Sequence, residues 1–338
     1  MGFWEGKKVA VAGGTGFIGT ELSLQLAELG AKVKVSCRDT VVKNPGWEQR
    51  VENRDEILAK GFSVWPANLT DPGKAKTFLL DQEIVFDLSG YAHGVLGHLS
   101  NHFRNFNDTI LPKLSLLGAA KECKPDLFVL TSTACVYPDR TDPPTQEYEA
   151  MRMDPQPAHD GYAWAKLMAE EQAMRLRNEH GVNAIIARPW NTYGPRDYFY
   201  DESFAHVIPR MMRRIMDGKS LEVIGGKQTR TFCHVSDLAR MFILMAESEN
   251  HKDHPYSAYN LGSEEEVTMD DLAGMILDAS NMRSGCFIVR KNEGAVGYSR
   301  RLPALDFLKE RISPHQIPSR PLQTGLRETW EWLKNGGN

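Results

Sequence analysis

The chain has 338 residues, of which 41% are hydrophobic and 25% are charged. This composition is typical of a water-soluble globular protein, and the length suits two coupled domains better than one minimal domain. The net charge of −4 excludes the strongly basic balance of most nucleic-acid-binding proteins and gives no attraction to an acidic membrane surface.

The cysteines and the apolar segments predict a cytoplasmic protein. The five cysteines, at positions 37, 123, 135, 233 and 286, are scattered and form no Cys-x-x-Cys pair. That pattern argues against a disulfide framework and against structural zinc. The apolar stretch from Val9 is too short for a signal peptide, and no segment reaches the roughly 18 apolar residues of a membrane span. We therefore expect neither nucleic acid nor a membrane as a partner.

The first half of the chain alternates strand-like and helical patterns. Apolar runs predict strands near residues 8–12, 31–36, 61–66, 83–88, 126–132 and 183–188. Helical patterns occupy about 17–29, 50–60, 72–80, 100–122 and 161–180. This alternation predicts an α/β fold with a doubly wound parallel Rossmann sheet, whose ligands bind beyond the carboxyl ends of the strands.

The second half predicts a smaller mixed α/β lobe that holds the substrate. Helices near 203–217, 236–248, 268–279 and 322–334 are mixed with short strands near 221–224, 230–234 and 257–261. We assign residues 1–190 to the Rossmann domain, with segments near 230–262 returning to it, and residues 191–338 mainly to the substrate lobe. The Pro-rich, acidic segment 139–160 predicts a loop over the active site.

A glycine-rich turn after the first strand predicts a dinucleotide site. Gly13 permits the tight turn, Gly16 lets a pyrophosphate approach the backbone, and Gly19 lets the next helix pack on its strand. The N-terminus of that helix offers N–H groups and a positive dipole end. The predicted cofactor contacts in this segment are Gly13, Thr15, Gly16, Phe17, Ile18 and Gly19.

The end of the second strand bears on the choice between NAD and NADP. An acidic residue there would accept hydrogen bonds from the ribose 2′-hydroxyl and favour NAD. Arg38 stands there instead, and its guanidinium suits a 2′-phosphate. Because Asp39 follows and could pair with Arg38, the sequence favours NADP and leaves NAD open.

Tyr162 and Lys166 form a candidate catalytic pair. Four residues apart on a predicted helix, they lie side by side on one face. Lowering a phenol from its reference pKa of about 10 to about 7 costs about 4 kcal/mol. One ammonium roughly 4 Å away supplies about that much at an effective dielectric near 20. A solvated helix face is the alternative, but Thr133 adds a hydroxyl at the end of a nearby strand.

With these residues placed, the chain resembles the extended short-chain dehydrogenase/reductases that act on nucleotide sugars. The resemblance covers nearly the whole length and includes the stretches Arg188–Arg196, Gln228–Asp237 and Tyr259–Ser263. It implies that Tyr162 exchanges a proton with a sugar hydroxyl while hydride moves to or from a nicotinamide. Lys166 would hold the nicotinamide ribose and lower the Tyr162 pKa, and Thr133 would bond the reacting oxygen.

The same resemblance implies further contacts and an assembly. Asn68 and Leu69 join the cofactor contacts, and Asn191, Arg214, Arg230 and Arg301 are the implied contacts of a nucleotide-diphosphate sugar. A surface charge pair is the alternative for Arg230. Dimerisation through two helices of the sheet domain is usual for the family, so we expect a homodimer.

Cys135 and His206 narrow the predicted reaction. The segment around Cys135 is similar to the GDP-mannose 3,5-epimerase and GDP-L-fucose synthase branches, in which the cysteine transfers protons beside a 4-keto group. Inversion at carbon 3 or 5 needs a base on one ring face and an acid on the other, and a thiol of reference pKa about 8.5 is a reasonable base. Residues 203–209 resemble the synthase segment with its catalytic His. A buried apolar thiol and a helix start are the alternatives for Cys135 and His206.

The histidines near residue 100 predict no metal site. The stretch from His93 to His102 looks like the glycine-rich substrate loop of the 3,5-epimerase branch. The spacing of His93, His98 and His102 is not typical of metal ligands, and the polarity of a loop accounts for all three.

Taken together, the sequence predicts a nucleotide-sugar epimerase that acts through a transient 4-keto intermediate with bound NAD(P). Inversion at carbon 3, carbon 5 or both is favoured, with a GDP-sugar as the favoured substrate. An NADPH-dependent reductase of a 4-keto-6-deoxy sugar and a simple 4-epimerase are the alternatives. A non-catalytic binding protein is disfavoured, because it would not need Thr133, Tyr162 and Lys166 together.

Overall fold

A computed structural model describes residues 2–38, 47–90, 94, 98–99, 101–138, 143–151, 160–202, 204–248, 258–282, 287–291 and 299–336. Its main sheet has seven parallel strands: β1 (Lys8–Ala12), β2 (Lys32–Cys37), β3 (Ser63–Pro66), β4 (Ile84–Asp87), β5 (Leu127–Thr131), β6 (Ala184–Pro189) and β11 (Ala258–Leu261). Three small sheets pair β7 (Thr192–Tyr193) with β10 (Cys233–His234), β8 (Leu221–Ile224) with β13 (Ile288–Lys291), and β9 (Thr229–Thr231) with β12 (Glu266–Thr268).

The described residues form ten α-helices. They are α1 (Phe17–Glu28), α2 (Trp47–Ala59), α3 (Pro72–Leu79), α4 (His102–Cys123), α5 (Asp160–His180), α6 (Val207–Met216), α7 (Val235–Glu247), α8 (Met269–Ser280), α9 (Asp306–Arg311) and α10 (Leu322–Lys334). The strand order of the main sheet is β11-β6-β5-β4-β1-β2-β3. The order reverses beside β1, and such a switch point opens a crevice for a ligand.

Both faces of the main sheet are buried at its central strands, which explains why these strands are apolar. In β1, Val9 and Val11 face a core shared with α1 and α7, whereas Ala10 and Ala12 face a core shared with α3, α4 and α5. Successive side chains of a strand point to opposite faces, so a sheet covered on both sides needs apolar residues throughout. The predicted doubly wound Rossmann sheet is confirmed.

The second half of the chain supplies a third core and also returns to the main sheet. Apolar residues of α6, α8 and α10 pack with β8 into this third core. Helix α7 packs on α1, and β11 extends the edge of the sheet beside β6. The predicted boundary between residues 190 and 191 stays a prediction.

Among the described helices, none is both long enough and apolar enough to cross a lipid bilayer.

Candidate active site

The candidate site is a cavity of about 590 Å³ at the carboxyl edge of the main sheet. Its walls come from the segments after β1, β4, β5 and β6 and from α6, β9 and the residues around Arg301. A smaller cavity at the ends of β2 and β3 shares part of this wall. The predicted residues that line the two cavities are Gly13, Thr15, Gly16, Phe17, Ile18, Gly19, Arg38, Asn68, Leu69, Thr133, Cys135, Tyr162, Lys166, Asn191, His206, Arg230 and Arg301.

The glycine-rich turn fits the pyrophosphate of a dinucleotide. Gly13 has a φ of +75°, and a Cβ there would lie 2.8 Å from the Leu88 carbonyl oxygen. At Gly19 a Cβ would collide with the Gly13 carbonyl, so glycine lets α1 approach β1. Gly16 is the N-cap of α1, no described side chain caps it, and the first turn holds no acidic residue. The open helix N-terminus therefore suits an anion.

Three arginines gather at the end of β2. Arg38 follows this strand, and Arg50 and Arg54, one turn apart on α2, line the same smaller cavity. Arg54 also pairs with Asp55, its Nη2 lying 2.9 Å from the carboxylate Oδ1. Sequence interpretation missed Arg50 and Arg54, although their spacing of four in a predicted helix placed both on one face.

The predicted catalytic residues meet beyond the carboxyl end of β5. Thr133 caps a short 3-10 helix, and its Oγ1 accepts a hydrogen bond from the Cys135 N–H at 3.3 Å. The Lys166 Nζ donates to the Thr131 carbonyl oxygen at 2.7 Å and lies 5.5 Å from the centre of the Tyr162 ring. Tyr162 and Lys166 are both almost fully buried.

Burial corrects the predicted effect of Lys166 on Tyr162. It raises the pKa of the Tyr162 phenol, the charge of an ionised Cys135 adds to the rise, and a hydrogen bond with Thr133 opposes it. Burial likewise lowers the pKa of the Lys166 ammonium well below its usual value, and the charge of Lys113 lowers it further. Because a desolvated lysine favours its neutral form, this geometry does not provide the predicted lowering of the Tyr162 pKa.

His98 departs from the expectation that loop polarity accounts for it. Its imidazole is buried and packs against the Tyr162 ring, with the ring centroids 4.9 Å apart and the planes tilted by 38°. Asn105 donates from its Nδ2 to the His98 carbonyl oxygen at 3.2 Å. His98 N–H donates to the Gly94 carbonyl, and Gly94 N–H donates to the Phe204 carbonyl. Gly94 and His98 therefore connect Tyr162 to Phe204, which precedes α6.

His206 lines the cavity and is also the N-cap of α6. Its Nδ1 lies 3.3 Å from Oδ1 of Asp197, a buried carboxylate that sequence interpretation missed. The same oxygen accepts the Tyr198 N–H at 2.8 Å. A fixed carboxylate beside one ring nitrogen orients the imidazole. A helix start and a proton-transfer group are thus compatible descriptions of His206.

Two predicted substrate arginines reach the cavity. Arg301 Nη2 donates to the Ala134 carbonyl oxygen at 2.6 Å, and its guanidinium lies 5.4 Å from the centre of the Trp190 ring. Arg230 Nη1 donates to the carbonyl oxygen of the preceding residue at 2.7 Å. Asn191 lies beside them in the lining, and its Nδ2 donates to a backbone carbonyl of β9 at 2.9 Å.

Arg214 is not among the described residues that line the cavity, and its contact with the substrate stays a prediction. Two carboxylates of the lining hold its guanidinium. Its Nη1 is 2.6 Å from Glu202 Oε2, and its Nη2 is 3.2 Å from Glu222 Oε1. Arg210, one turn earlier on α6, lines the cavity in its place.

Metal ligands and thiols complete the inventory of the site. In the residues that the structure describes, no group of three or more His, Cys, Asp or Glu is arranged to hold a metal ion. Cys37, Cys123, Cys135 and Cys233 form no disulfide with one another. The interpretations of Asp39, His93, Ser203, Cys286 and most of 139–160 lie outside the described residues.

A Rossmann sheet with Thr, Tyr and Lys side chains at its carboxyl edge defines an enzyme of the short-chain dehydrogenase/reductase type. The chain belongs to the NAD-dependent epimerase/dehydratase family, whose model matches residues 9–262. The predicted membership of the extended short-chain dehydrogenase/reductases, in their nucleotide-sugar epimerase branch, is confirmed, and so is the prediction of an NAD(P)-dependent enzyme.

Three relatives illustrate the range of this family. The chain is 28% identical to a dTDP-4-dehydro-6-deoxy-D-allose reductase of Streptomyces bikiniensis over 98% of both chains. It is 31% identical to the probable GDP-L-fucose synthase 1 of Oryza sativa subsp. japonica over 61% of both chains. The solved UDP-N-acetylglucosamine 4-epimerase of Methanobrevibacter ruminantium M1, in complex with UDP-N-acetylmuramic acid, superposes with a TM-score of 0.82 at 25% identity. That alignment covers 98% of this chain and 99% of the epimerase.

Proposed function

We propose that the chain is an NADP-dependent nucleotide-sugar epimerase that works through a transient 4-keto intermediate and inverts carbon 3, carbon 5 or both. The observation that carries this proposal is the position of Cys135 and His206 in the cavity that also holds the Tyr162–Lys166 pair. A simple 4-epimerase needs only that pair and Thr133. Two more proton-transfer groups at the same cavity favour chemistry at the neighbouring carbons.

Each of these residues has a defined task in the proposed reaction. A bound nicotinamide supplies the acceptor and then the donor of hydride at carbon 4. Tyr162 takes the proton of the carbon-4 hydroxyl and later returns it, while Thr133 bonds that oxygen. A ketone at carbon 4 acidifies the hydrogens on carbons 3 and 5. Cys135 and His206 then remove a proton from one ring face and deliver one to the other.

The charges of the two cavities support the proposed ligands. Arg230 and Arg301, with Arg210, offer guanidinium groups to the diphosphate of a sugar nucleotide. The arginines around Arg38 suit the 2′-phosphate of NADP, with NAD as the alternative. A GDP-sugar is favoured because the Cys135 segment resembles two GDP-sugar branches and the rice relative is a GDP-L-fucose synthase. Cysteines that are not joined by disulfides suit the reducing cytoplasm.

An exposed apolar surface supports the proposed homodimer. Helices α4 and α5 pack against each other beside the sheet, and their outer faces expose Phe103, Leu111, Leu114, Trp164 and Met168. A cluster of large apolar side chains on two adjacent helices is typical of a protein–protein contact. A second copy of the chain is the partner that we propose for this surface.

A second candidate is an NADPH-consuming reductase of a 4-keto-6-deoxy nucleotide sugar. The three arginines at the smaller cavity favour it, and so does the reductase of Streptomyces bikiniensis, to which this chain aligns over 98% of its length. The two candidates share the roles of Tyr162, Lys166 and Thr133. They differ in whether reduced cofactor is consumed with each turnover.

Proton NMR in deuterated water tests the proposal and separates it from the alternatives. The enzyme is incubated with GDP-, UDP- and dTDP-hexoses, first without added cofactor. We expect deuterium at carbon 3 or 5, and we expect Cys135→Ala or His206→Asn to reduce its incorporation at least tenfold. Cys123→Ala, which removes a different thiol, is the matched control and should keep the wild-type rate.

Each contrary outcome identifies another reaction. Inversion at carbon 4 without deuterium uptake would make the enzyme a simple 4-epimerase. Turnover only with a 4-keto-6-deoxy sugar and a stoichiometric amount of NADPH would make it a reductase. Full deuterium incorporation by Cys135→Ala or His206→Asn would show that the replaced residue has no role in proton transfer.

A further inference from the structure

A buried ion pair lies directly behind the catalytic lysine. Lys113 of α4 and Asp87 at the end of β4 are both fully buried, and Lys113 Nζ lies 2.9 Å from Asp87 Oδ2. The other oxygen of Asp87 accepts the N–H of Ser89 at 2.9 Å and also its hydroxyl. These hydrogen bonds therefore stabilise the Asp87 carboxylate, and Lys113 is the cation that it contacts.

Lys166 shares this buried environment. Its Nζ donates to the Thr131 carbonyl oxygen at 2.7 Å, and burial and the charge of Lys113 lower its pKa. A Cβ built on Gly90, in the segment after Asp87, would lie 3.4 Å from this Nζ. Both amino groups are thus buried, and the charge of one carboxylate, Asp87, acts on both. Like charges this close oppose each other strongly, so the charge of one group governs the charge of the other.

Several elements place other charged groups near Lys166. Asp87 and, more weakly, Glu170 raise the pKa of Lys166, against the lowering by burial and by Lys113. Glu170 is already paired with Arg188, its Oε2 lying 2.6 Å from Nη2. On the Tyr162 side lie Thr133, Cys135 and the ring of His98. Among these groups, Lys113 is thus the cation whose charge acts on Lys166.

We propose that Lys113 is a positioning residue that, with Asp87 as its counterion, sets the charge of Lys166 and through it the readiness of Tyr162 to exchange a proton. This role rests on the proposed function, in which Tyr162 and Lys166 act as a pair. Lys113 lines neither cavity among the described residues, so it acts through Lys166 and not on the substrate.

The charge of Lys166 is measured by NMR on the full chain labelled with [13Cε]lysine. The resonance of Lys166 is assigned with Lys166→Met, and its chemical shift is followed with pH. In the wild type we expect a titration midpoint clearly below that of the surface lysines. Lys113→Met should raise this midpoint by about one unit or more, because it removes the like charge and leaves Asp87 as the counterion of Lys166.

Asp87→Asn should move the Lys166 midpoint the other way. It removes the carboxylate that favours the charged form and leaves Lys113 in place. Lys121→Met, which removes an exposed lysine from the same helix, is the matched control and should leave the midpoint unchanged. A merely structural role for Lys113 would lower stability in the first two variants without opposite shifts, and this result would overturn the proposal.

The wild-type titration keeps the proposal testable if either variant fails to fold. A wild-type Lys166 that titrates with the surface lysines would overturn it without any variant. The double variant Lys113→Met with Asp87→Asn removes the pair as a whole and should shift the midpoint less than Lys113→Met does. A shift as large as that of the single variant would also contradict a role for Asp87.

The pH profile of turnover separates this inference from the proposed function. More charge on Lys166 favours the Tyr162 phenolate, so the acidic limb should move to lower pH in Lys113→Met and to higher pH in Asp87→Asn. If no nucleotide sugar turns over, the proposed function fails while the NMR titration still reports on Lys113. If the midpoints shift but the acidic limb stays in place, Lys113 governs Lys166 and the Tyr162–Lys166 pair is not the proton-transfer unit.

Discussion

Tyr162 and Lys166 occupy a site where burial favours the neutral form of both. Burial raises the pKa of the phenol and lowers that of the ammonium. A phenolate beside an ammonium must therefore be stabilised by surrounding groups. The hydrogen bond with Thr133 favours the phenolate, and the charge of Asp87 favours the ammonium, against the charge of Lys113. Helical spacing brings the two side chains together, but their charges depend on the residues behind them.

The arginines at the smaller cavity should discriminate between NADP and NAD. We expect Arg38→Ala to lower the affinity for NADP about tenfold or more, because a charge-assisted hydrogen bond contributes about 1.5 to 3 kcal/mol. Arg54→Ala should lower the affinity for NADP less than Arg38→Ala does, because Asp55 already neutralises part of the Arg54 charge. The affinity for NAD should change little in either variant, because NAD has no 2′-phosphate.

Calorimetric titration of each variant with both cofactors measures this selectivity. Lys60→Ala is the control, because it removes a cation beyond the end of α2 that does not line the smaller cavity within the described residues. Equal losses of NADP and NAD affinity in Arg38→Ala would contradict a contact with the 2′-phosphate. Such equal losses would indicate that Arg38 stabilises the fold at the end of β2 instead.

At the scale of elements, a buried polar network holds the segment after β5. Arg188 of β6 binds Glu170 of α5 through two hydrogen bonds and donates to the Tyr137 hydroxyl and to the Glu147 carbonyl. The side chain of Glu147, in the short 3-10 helix Glu147–Met151, accepts the backbone N–H of Asn260 in β11 at 2.9 Å. These hydrogen bonds connect β6, α5, β11 and the short 3-10 helix to one another.

Glu147 should make stability depend on pH between about 5 and 8. Burial raises its pKa from 4.5 to about 7. The native state then binds more protons than the unfolded state between these values, so this contribution to stability is fully present below pH 4.5 and is lost as pH rises to about 7. The loss is on the order of 3 kcal/mol over the full window.

Urea unfolding at pH 5 and at pH 8 checks this dependence. In Glu147→Gln we expect the fall in unfolding free energy between the two pH values to shrink by on the order of 2 to 3 kcal/mol. The neutral amide can still accept the Asn260 N–H. Glu149→Gln, two residues away in the same short helix, is the control and should retain the wild-type fall. An unchanged fall in Glu147→Gln would show that this carboxyl titrates as it does in the unfolded chain.

The elements that sequence predicted are those whose burial leaves a periodic pattern. The strands at the centre of the main sheet are apolar on both faces, and each strand of the sheet lies within a few residues of its predicted position. The missed elements are short: β7 has two residues, β12 has three and α9 has six. Segments of this length hold too few residues to show a period. They form because the rest of the chain supplies their partners, as β9 does for β12.

The site residues divide in a similar way. Those at a fixed position along the chain, such as Gly13 after β1 or Tyr162 and Lys166 on one helical face, could be found from spacing alone. Asp197 and Lys113 could not, because their importance comes from partners that are remote in sequence or carried by another element. Lys113 interrupts the apolar run of α4, which is a signal of a buried charge, but nothing in the sequence identifies Asp87 as its counterion.

At the scale of the whole molecule, the segment after β7 bridges the second half of the chain to the cofactor end. Arg196 binds Glu56 of α2 through two hydrogen bonds and Glu21 of α1 at 3.0 Å. Its φ of +71° is unusual for a residue with a side chain, and the three contacts hold it there. Because this segment continues to His206, the helices beside the glycine-rich turn and the proposed proton-transfer histidine are parts of one connected structure.

The apolar surface of α4 and α5 leads to a prediction about assembly. Phe103 is 86% exposed and Met168 is 50% exposed. In a twofold dimer the same surface meets itself, so one substitution per chain places two copies in the interface. We expect Met168→Glu to convert the dimer to a monomer, because each buried carboxylate without a partner costs several kcal/mol.

Light scattering coupled to size-exclusion chromatography measures the mass directly. The wild type should elute with twice the chain mass of 38.0 kDa, and Met168→Glu should elute with the single-chain mass. Met216→Glu is the matched control, since Met216 is a comparably exposed methionine at the end of α6, away from this surface. A wild type that elutes as a single chain would contradict the dimer. A Met168→Glu dimer would place the interface elsewhere, because two new charges at the contact of α4 and α5 could not remain unpaired there.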